Sequence, residues 1–494
     1  MPLILGTNSI KDTGYNVANS VRYADGDSPS MTKASTTVTN DKKFTISAWC
    51  KRCNMGDGSG NEFGIFGHRS NSNNGNSNLQ FGFYQDHIYC AFVSNNGSDV
   101  HINKVSDALY QDPTAWYHVM LAVDTTQGTA ANRNRIYVNG TEVTSFSTDT
   151  NAPSDRTFLN NACNIDVGRY TNTGGSHFEF DGYLAEVVYI DGSQLTPTSF
   201  GEFNEDSPTI WQPKDVSGLT FGNNGFYLDF EDSSNLGNDV NGGTDLSEAN
   251  LAAIDQCTDT CTNNWAVPNI LLQGIDITYT QNNLQIAIGE DGQYGTQSSI
   301  GVNAGRWYCE LKYIATTSAG NDRVMPGITG NPTKLATYGV AAAGAVNQGS
   351  GYIGGGNDIT SYGYYKDGNA YHNENTTSYG DTWTLNDIIG IYLDCEDNKL
   401  YFSKNGTVQN SGTGIDITDP ASTASGNYFF GFTDTSSYGG TLQANFGGAS
   451  AYSISSSVSD DNGYGNFEYS PNITGDGSAK KFYSLNTKNL AEFG

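Results

Sequence analysis

The sequence predicts an all-β chain, two antiparallel β-sandwiches of jelly-roll type in tandem, and three observations carry that prediction. Gly occurs 59 times in 494 residues, beside 30 Tyr and 23 Phe. That mixture suits pleated, half-buried strands joined by tight turns, because Gly and Asn tolerate positive φ. Short runs alternate between apolar and polar residues, while long helical patterns are missing. Two Asn-Gly steps, Asn139-Gly140 and Asn405-Gly406, are each flanked by strand-like runs, which is a strong short-range signal for a hairpin closed by a type I′ turn.

Along the chain, residues 1–18 read as a polar N-terminal arm with one apolar cluster, Pro2, Leu3, Ile4 and Leu5. The first sandwich is expected over 19–204. Lys43 to Trp49 alternates with Phe44, Ile46 and Ala48 on one face, Asn78 to Phe83 alternates likewise, and Trp116 to Asp124 is apolar on both faces. Phe180 to Ile190 reads as a long buried strand, and Thr196-Pro197 as the start of one short helix. Residues 205–265 read as a connector packed through aromatics such as Trp211, Phe226 and Tyr227. The second sandwich is expected over 266–450, with strands at Gly305 to Leu311, Asp387 to Asp394 and Lys399 to Val408. A polar C-terminal extension, 451–494, completes the division.

The 52 acidic residues against 24 basic ones give a formal charge of −28. Such a field repels nucleic acid and anionic lipid, so neither is an expected partner; spread along the chain, it serves solubility. No apolar run reaches the roughly 18 residues of a spanning helix, so membrane insertion is not expected. The start Met1-Pro2-Leu3-Ile4-Leu5-Gly6 lacks a basic residue before its apolar run and does not read as a secretory signal. Cys50/Cys53 and Cys257/Cys261 are the close cysteine pairs. Plain thiols are expected, with a disulfide or zinc as alternatives, although no His lies at finger spacing beside either pair.

Catalysis is not expected. A glycosidase needs two carboxylates about 5–9.5 Å apart across the scissile bond. Glu186 and Asp191 are five residues apart, which places them on opposite faces of a regular strand. Asp229 and Glu231 have the right parity but lack a third acid, that position being Ser234. His118 reads as a strand residue rather than a base.

Phe44 to Trp49, Trp116 to Val119, Ile136 to Gly140 and Phe180 to Val187 followed by Leu195-Thr196 resemble the laminin-G-like, concanavalin A-like jelly roll. Gly305 to Glu310, Ser361 to Tyr364, Asp387 to Gly390, Leu400 to Gly406 and Asn445-Phe446-Gly447 resemble an SPRY domain. The whole order, with its start and its Trp211-Gln212-Pro213 connector, resembles tail-fibre or head-decoration proteins of marine bacteriophages. That resemblance implies a non-catalytic virion surface protein, made in the host cytoplasm and released by lysis, whose sandwiches bind a host-surface glycan or protein. A purely structural decoration or spacer subunit and a bacterial carbohydrate-binding adhesin are the alternatives. An exposed apolar arm needs a dock, so Pro2 to Leu5 are expected to engage other virion proteins or a sister copy in a homo-oligomer.

Sugar sites combine an aromatic platform with polar edges, and residues 352–379 are rich in both. Tyr352, Asn357, Asp358, Tyr365, Asp367, Tyr371 and His372 are the candidate ligand-binding residues, while Tyr362 and Tyr364 share one strand face and are expected to fill the core. The jelly-roll resemblance also implies Ca²⁺ as the candidate cofactor, with Asp25, Asp27 and Asp181 as its oxygen donors.

Overall fold

The Lys43–Arg52 strand illustrates how alternation becomes architecture: Phe44, Ile46 and Ala48 all enter the first core, as their spacing requires. A computed structural model of the protein describes residues 14–494 except 56–61, 71–76, 96, 159–162, 173, 275, 290–293, 317–322, 338–350, 356–357 and 435–438 and 475–478. The described chain is β-rich, with α-helix confined to Pro332–Thr337 and Thr487–Phe493. It divides into two compact units, one holding 12–262 and the other 263–494.

In the first unit, two sheets, each of eight strands among the described residues, enclose one core. One sheet runs Thr141–Glu142, Asn134–Val138, Trp116–Asp124, Lys43–Arg52, Gly182–Asp191, Ser20–Tyr23, Gln256–Cys257, and Phe226–Leu228 also pairs with Gly182–Asp191. The pairings are antiparallel. The expected hairpin forms at Asn139 (φ 47°) and Gly140 (φ 76°), the two positive-φ positions of a type I′ turn. The Thr196-Pro197 signal yields a single 3₁₀ turn, Pro197–Ser199, without a side-chain cap.

The stretch read as a connector is, up to Thr262, part of this unit. Phe226–Leu228, Ser247–Ala249 and Gln256–Cys257 extend its sheets. Phe200, Val216, Phe221 and Tyr227 cover Met120, Ala122, Val188 and Ile190, the side of the sheet facing away from the main core. Asp259 fastens the end of the stretch: its carboxylate accepts from Lys51 Nζ at 2.7 Å and Trp116 Nε1 at 3.0 Å, all three buried. Removing one member of a buried pair like this strands the other charge and costs about 3–5 kcal/mol. The polar, aromatic-studded composition fits such a segment, because few of its residues face a two-sided core.

The second unit repeats the plan. A seven-stranded sheet runs Pro268–Gln273, Tyr294–Ser298, Phe429–Asp434, Val324–Thr329, Ser361–Tyr364, Asn369–His372, Asn375–Ser378 among the described residues. The opposing sheet is built on Arg306–Thr316, paired with Ile388–Asp394 and Gly440–Asn445. Asn405 (φ 47°) and Gly406 (φ 78°) close the second expected hairpin. The extension after 450 folds back on the outer side of this sheet: Phe467, Ile473 and Phe482 pack on Tyr308, Tyr392 and Tyr401. Tyr483–Ser484 adds a parallel pairing to Trp307 and Tyr308.

Candidate functional site

The Gly354-Gly355 turn and a short edge hairpin shape the aromatic site of the second unit. Asn369–His372 pairs with Ser361–Tyr364 and with Asn375–Ser378 at one edge of the seven-stranded sheet. Alternation sends Tyr362 and Tyr364 into the core, as their shared face predicts. On the other face, half-buried Tyr352, Tyr365 and Tyr371 pack around buried Met325, Leu335 and Ile353. The rings of Tyr365 and Tyr371 meet edge to face at 5.4 Å. A β-carbon at Gly354 or Gly355 would collide with Tyr371 or with the Tyr352 ring, so both glycines let the loop close over the tyrosines.

The remaining candidates separate. His372 stacks on Tyr362 at 4.2 Å with nearly parallel rings, and its Nδ1 lies 3.1 Å from the Ser361 carbonyl, so it belongs with the core-facing side. Asp358 is buried and serves its own turn, accepting from Thr360 N at 2.9 Å and Thr360 Oγ1 at 2.7 Å. Asp367 is exposed and holds the neighbouring turn through Asn369 N and Nδ2, each at 2.8 Å. Both are local Asx arrangements. Asn357 and the arm residues Pro2, Leu3, Ile4 and Leu5 lie outside the described residues.

In the first unit, Asp25 lines a pocket of about 290 Å³ with Asn54, Glu62, Phe63, His177 and Glu179. Burial and the charge of Asp27 push the Asp25 carboxyl up, and burial together with Asp25 pushes Asp181 well above the usual carboxylate range. The three candidate donors thus neighbour one another, but Asp181 takes a hydrogen bond from the Asp25 backbone. Among the described residues, no group of three or more His, Cys, Asp or Glu side chains converges as a metal cage. Asp25 thus lies near both of the other candidate donors, Asp27 and Asp181. All eight cysteines are free thiols, and burial raises those of Cys50 and Cys257 to about 12.

The catalytic candidates resolve into structural roles. Trp211 Nε1 donates to His118 Nδ1 at 3.1 Å, which places the ring proton on Nε2, 2.8 Å from Ser47 Oγ. A nitrogen that carries a proton toward a hydroxyl is no base for it, and burial lowers the His118 pKa to about 3. Glu186 and Asp191 serve different partners: Glu186 accepts from Tyr227 OH at 2.8 Å, whereas Asp191 accepts from Thr39 N at 3.0 Å and Asn224 Nδ2 at 2.9 Å. The reason differs from the expected one. The strand is bulged between Ala185 and Val188, with Glu186 at φ 50°, so simple parity does not hold across it.

Glu186 and its counterpart Glu310 were missed as structural features by pattern reading. Their signal was present: each is an acid inside an apolar run, Leu184 to Val188 and Trp307 to Leu311.

Residues 25–198 match the family model of the Concanavalin A-like lectin/glucanases superfamily, and residues 290–430 match that of the SPRY domain. The chain carries a laminin-G-like jelly roll followed by an SPRY domain. The jelly-roll match stops before the strands at Phe226–Leu228, Ser247–Ala249 and Gln256–Cys257 that complete the first unit. Among solved structures, the chain is similar to the SPRY domain of human HERC1, with 17% identity over 36% of this chain and 96% of that one, at a TM-score of 0.25. Stonustoxin is 15% identical over 36% of this chain and 27% of its own, also at 0.25. The TRIM65 PSpry domain is 14% identical over 36% and 89%, again at 0.25. The domain assignments rest on the family models. No helix among the described residues is long and apolar enough to cross a membrane.

Proposed function

We propose that this is a non-catalytic virion surface protein, of fibre or decoration type, whose β-sandwiches bind a host-surface glycan or protein. The observation that supports binding most directly is the cluster of Tyr352, Tyr365 and Tyr371 on the outer face of the seven-stranded sheet. Aromatic rings with an apolar body and a polar tip, held by glycine-permitted loops, form a firm platform for a ligand. The lectin-type and SPRY-type domain matches support the same reading, and so do the structural roles of His118, Glu186 and Asp191. The arm Pro2 to Leu5 docks the chain on other virion proteins or on a sister copy.

Adsorption to host cells tests the reading. Tyr371→Ala, in particles carrying the variant, is expected to reduce adsorption by about tenfold, the usual scale for removing an aromatic anchor, while its melting temperature stays near the parent's. Unchanged adsorption would favour the spacer role instead. Deleting residues 1–14 is expected to abolish incorporation into particles and to leave both units folded; a truncated chain that incorporates normally would overturn the docking role of the arm.

A further inference from the structure

A second pocket in the 263–494 unit has no part in the reading above. It measures about 270 Å³ and is lined by Arg306, Glu396, Ala479, Lys481, Tyr483 and Phe493. Four stretches of chain converge there: the start of Arg306–Thr316, the turn after Ile388–Asp394, the Ala479–Lys481 to Tyr483 run, and the terminal Thr487–Phe493 helix. The rings of Tyr483 and Phe493 stack at 3.8 Å with planes only 15° apart. That helix is fixed by buried Leu490 and by Asn486, whose side chain accepts from Asn489 N. Gly305, at φ +75°, permits the approach, since a β-carbon there would press on the Phe493 carbonyl oxygen. The aromatic wall is therefore built in.

The polar wall is equally fixed. Arg306 Nε donates to the buried Asp394 carboxylate at 2.9 Å, and its Nη2 lies 2.8 Å from Glu396 and 3.3 Å from Asp397. Lys480 binds Asp394 and Asp397 from the other side, and Lys481 is paired with Asp461. The cations are already neutralised, so a charged ligand would have to break ion pairs to gain one. Arg306 Nη1, Glu396 Oε1 and Tyr483 OH make no hydrogen bond with other described residues. They supply a fork of donors, an acceptor and a hydroxyl beside a flat aromatic pair.

From this arrangement we infer that the pocket binds one pyranose unit of a neutral saccharide. A sugar ring has an apolar face of C–H groups for the aromatic wall, and neighbouring hydroxyls that donate to Glu396 while accepting from Arg306. The inference rests on the glycan branch of the proposed function but uses a separate face, away from Tyr352, Tyr365 and Tyr371 in sequence and in packing.

Saturation-transfer NMR on the full chain tests it, with the methyl glycosides of glucose, galactose, mannose and N-acetylglucosamine as probes. At least one is expected to bind, and Glu396→Gln and Phe493→Ala are each expected to weaken it by about tenfold. Glu396→Gln keeps the shape of the pocket, so it decides the matter even if Phe493→Ala loosens the terminal helix. Failure of all four glycosides to bind, or binding that both variants leave intact, would overturn the inference. Glycoside binding lost only in Tyr371→Ala would place the sugar at the tyrosine cluster, sparing the proposed function while removing this pocket. Adsorption insensitive to Tyr371→Ala, with glycoside binding lost in Glu396→Gln, would do the reverse.

Discussion

Glu186 and Glu310 are both buried acids on central strands, one in each sandwich, yet their surroundings differ. Glu310 is saturated with donors. Its Oε2 accepts from Tyr452 OH at 2.8 Å, Glu468 N at 3.0 Å and Asn445 Nδ2 at 3.3 Å, and its Oε1 from Tyr469 N at 2.7 Å and Tyr308 OH at 3.1 Å. Three of those donors belong to the C-terminal extension, so one carboxylate pins that segment across the outer face of the sheet. Glu186 sits on a bulge in the left-handed region and meets two hydroxyls, Tyr227 at 2.8 Å and Tyr15, which also lies 3.0 Å from Tyr227 OH, with Asp229 and Glu231 adding negative charge. Burial raises the pKa of both acids, but around Glu310 five donors replace the lost water and oppose that rise, whereas around Glu186 neighbouring acids add to it.

The largest effect is expected from breaking the saturated site. Glu310→Ala leaves two hydroxyls, an amide and two backbone N–H groups without their acceptor, a loss on the order of 3–5 kcal/mol. Hydrogen exchange should show residues 452–469 losing protection first. Protection that survives the substitution would mean that Phe467, Ile473 and Phe482 alone hold the extension.

The under-satisfied site should announce itself through pH. Burial, with the nearby acids, raises the Glu186 pKa from 4.5 to about 8. The unfolded chain releases that proton near the ordinary value while the folded chain keeps it, so the folded state binds more protons in the interval. Stability therefore falls as pH rises from about 4.5 to about 8, by on the order of a few kcal/mol. Glu186→Gln carries no such proton, and the difference between variant and parent in melting temperature should grow in the variant's favour from pH 5 to pH 8. His118 and His68, whose folded pKa values of about 3 and about 4 lie below 6.5, lose stability in the opposite direction as pH falls, identically in both proteins. A variant–parent difference that is flat with pH would show Glu186 ionised in the fold.

This contrast marks what the sequence carries and what it does not. Strands written as alternation, such as Lys43–Arg52 and Trp116–Asp124, and turns written as Asn-Gly were legible, because each is encoded within a few neighbouring residues. The role of residues 205–262 was not: Phe226–Leu228 is three residues long and gains its strand identity only by pairing with Gly182–Asp191. The tyrosine cluster was legible as composition, and its division into core-facing Tyr362 and Tyr364 followed from period two. The separation of His372 and Asp358 from the platform depended on stacking and turn contacts that no spacing records. The bulge at Glu186 was hidden for the same reason, since an apolar run reads alike with or without one extra residue.

The two Asn-Gly hairpins offer the finest comparison, since the turns are alike and what lies over them is not. Gly140 is covered by the Trp211 ring and Gly406 by the Tyr469 ring, each from the segment that follows its sandwich. Gly412, at φ +80°, has open space around its Cα. Alanine at any of the three takes up a left-handed conformation costing roughly 1 kcal/mol, part of which is offset by a less flexible unfolded chain. Gly412→Ala should show only that small remainder. Gly406→Ala should add the displacement of Tyr469, a half-exposed ring that has room to swing outward. Gly140→Ala should cost the most of the three, about 2–3 kcal/mol, because Trp211 is buried, stacked on His118 at 5.9 Å and tied to it through Nε1, and cannot yield without breaking that hydrogen bond. Urea unfolding of the three variants measures the order directly. Equal losses at all three positions would show that backbone strain alone sets the cost, and that the flanking aromatics merely rest on the turns they cover.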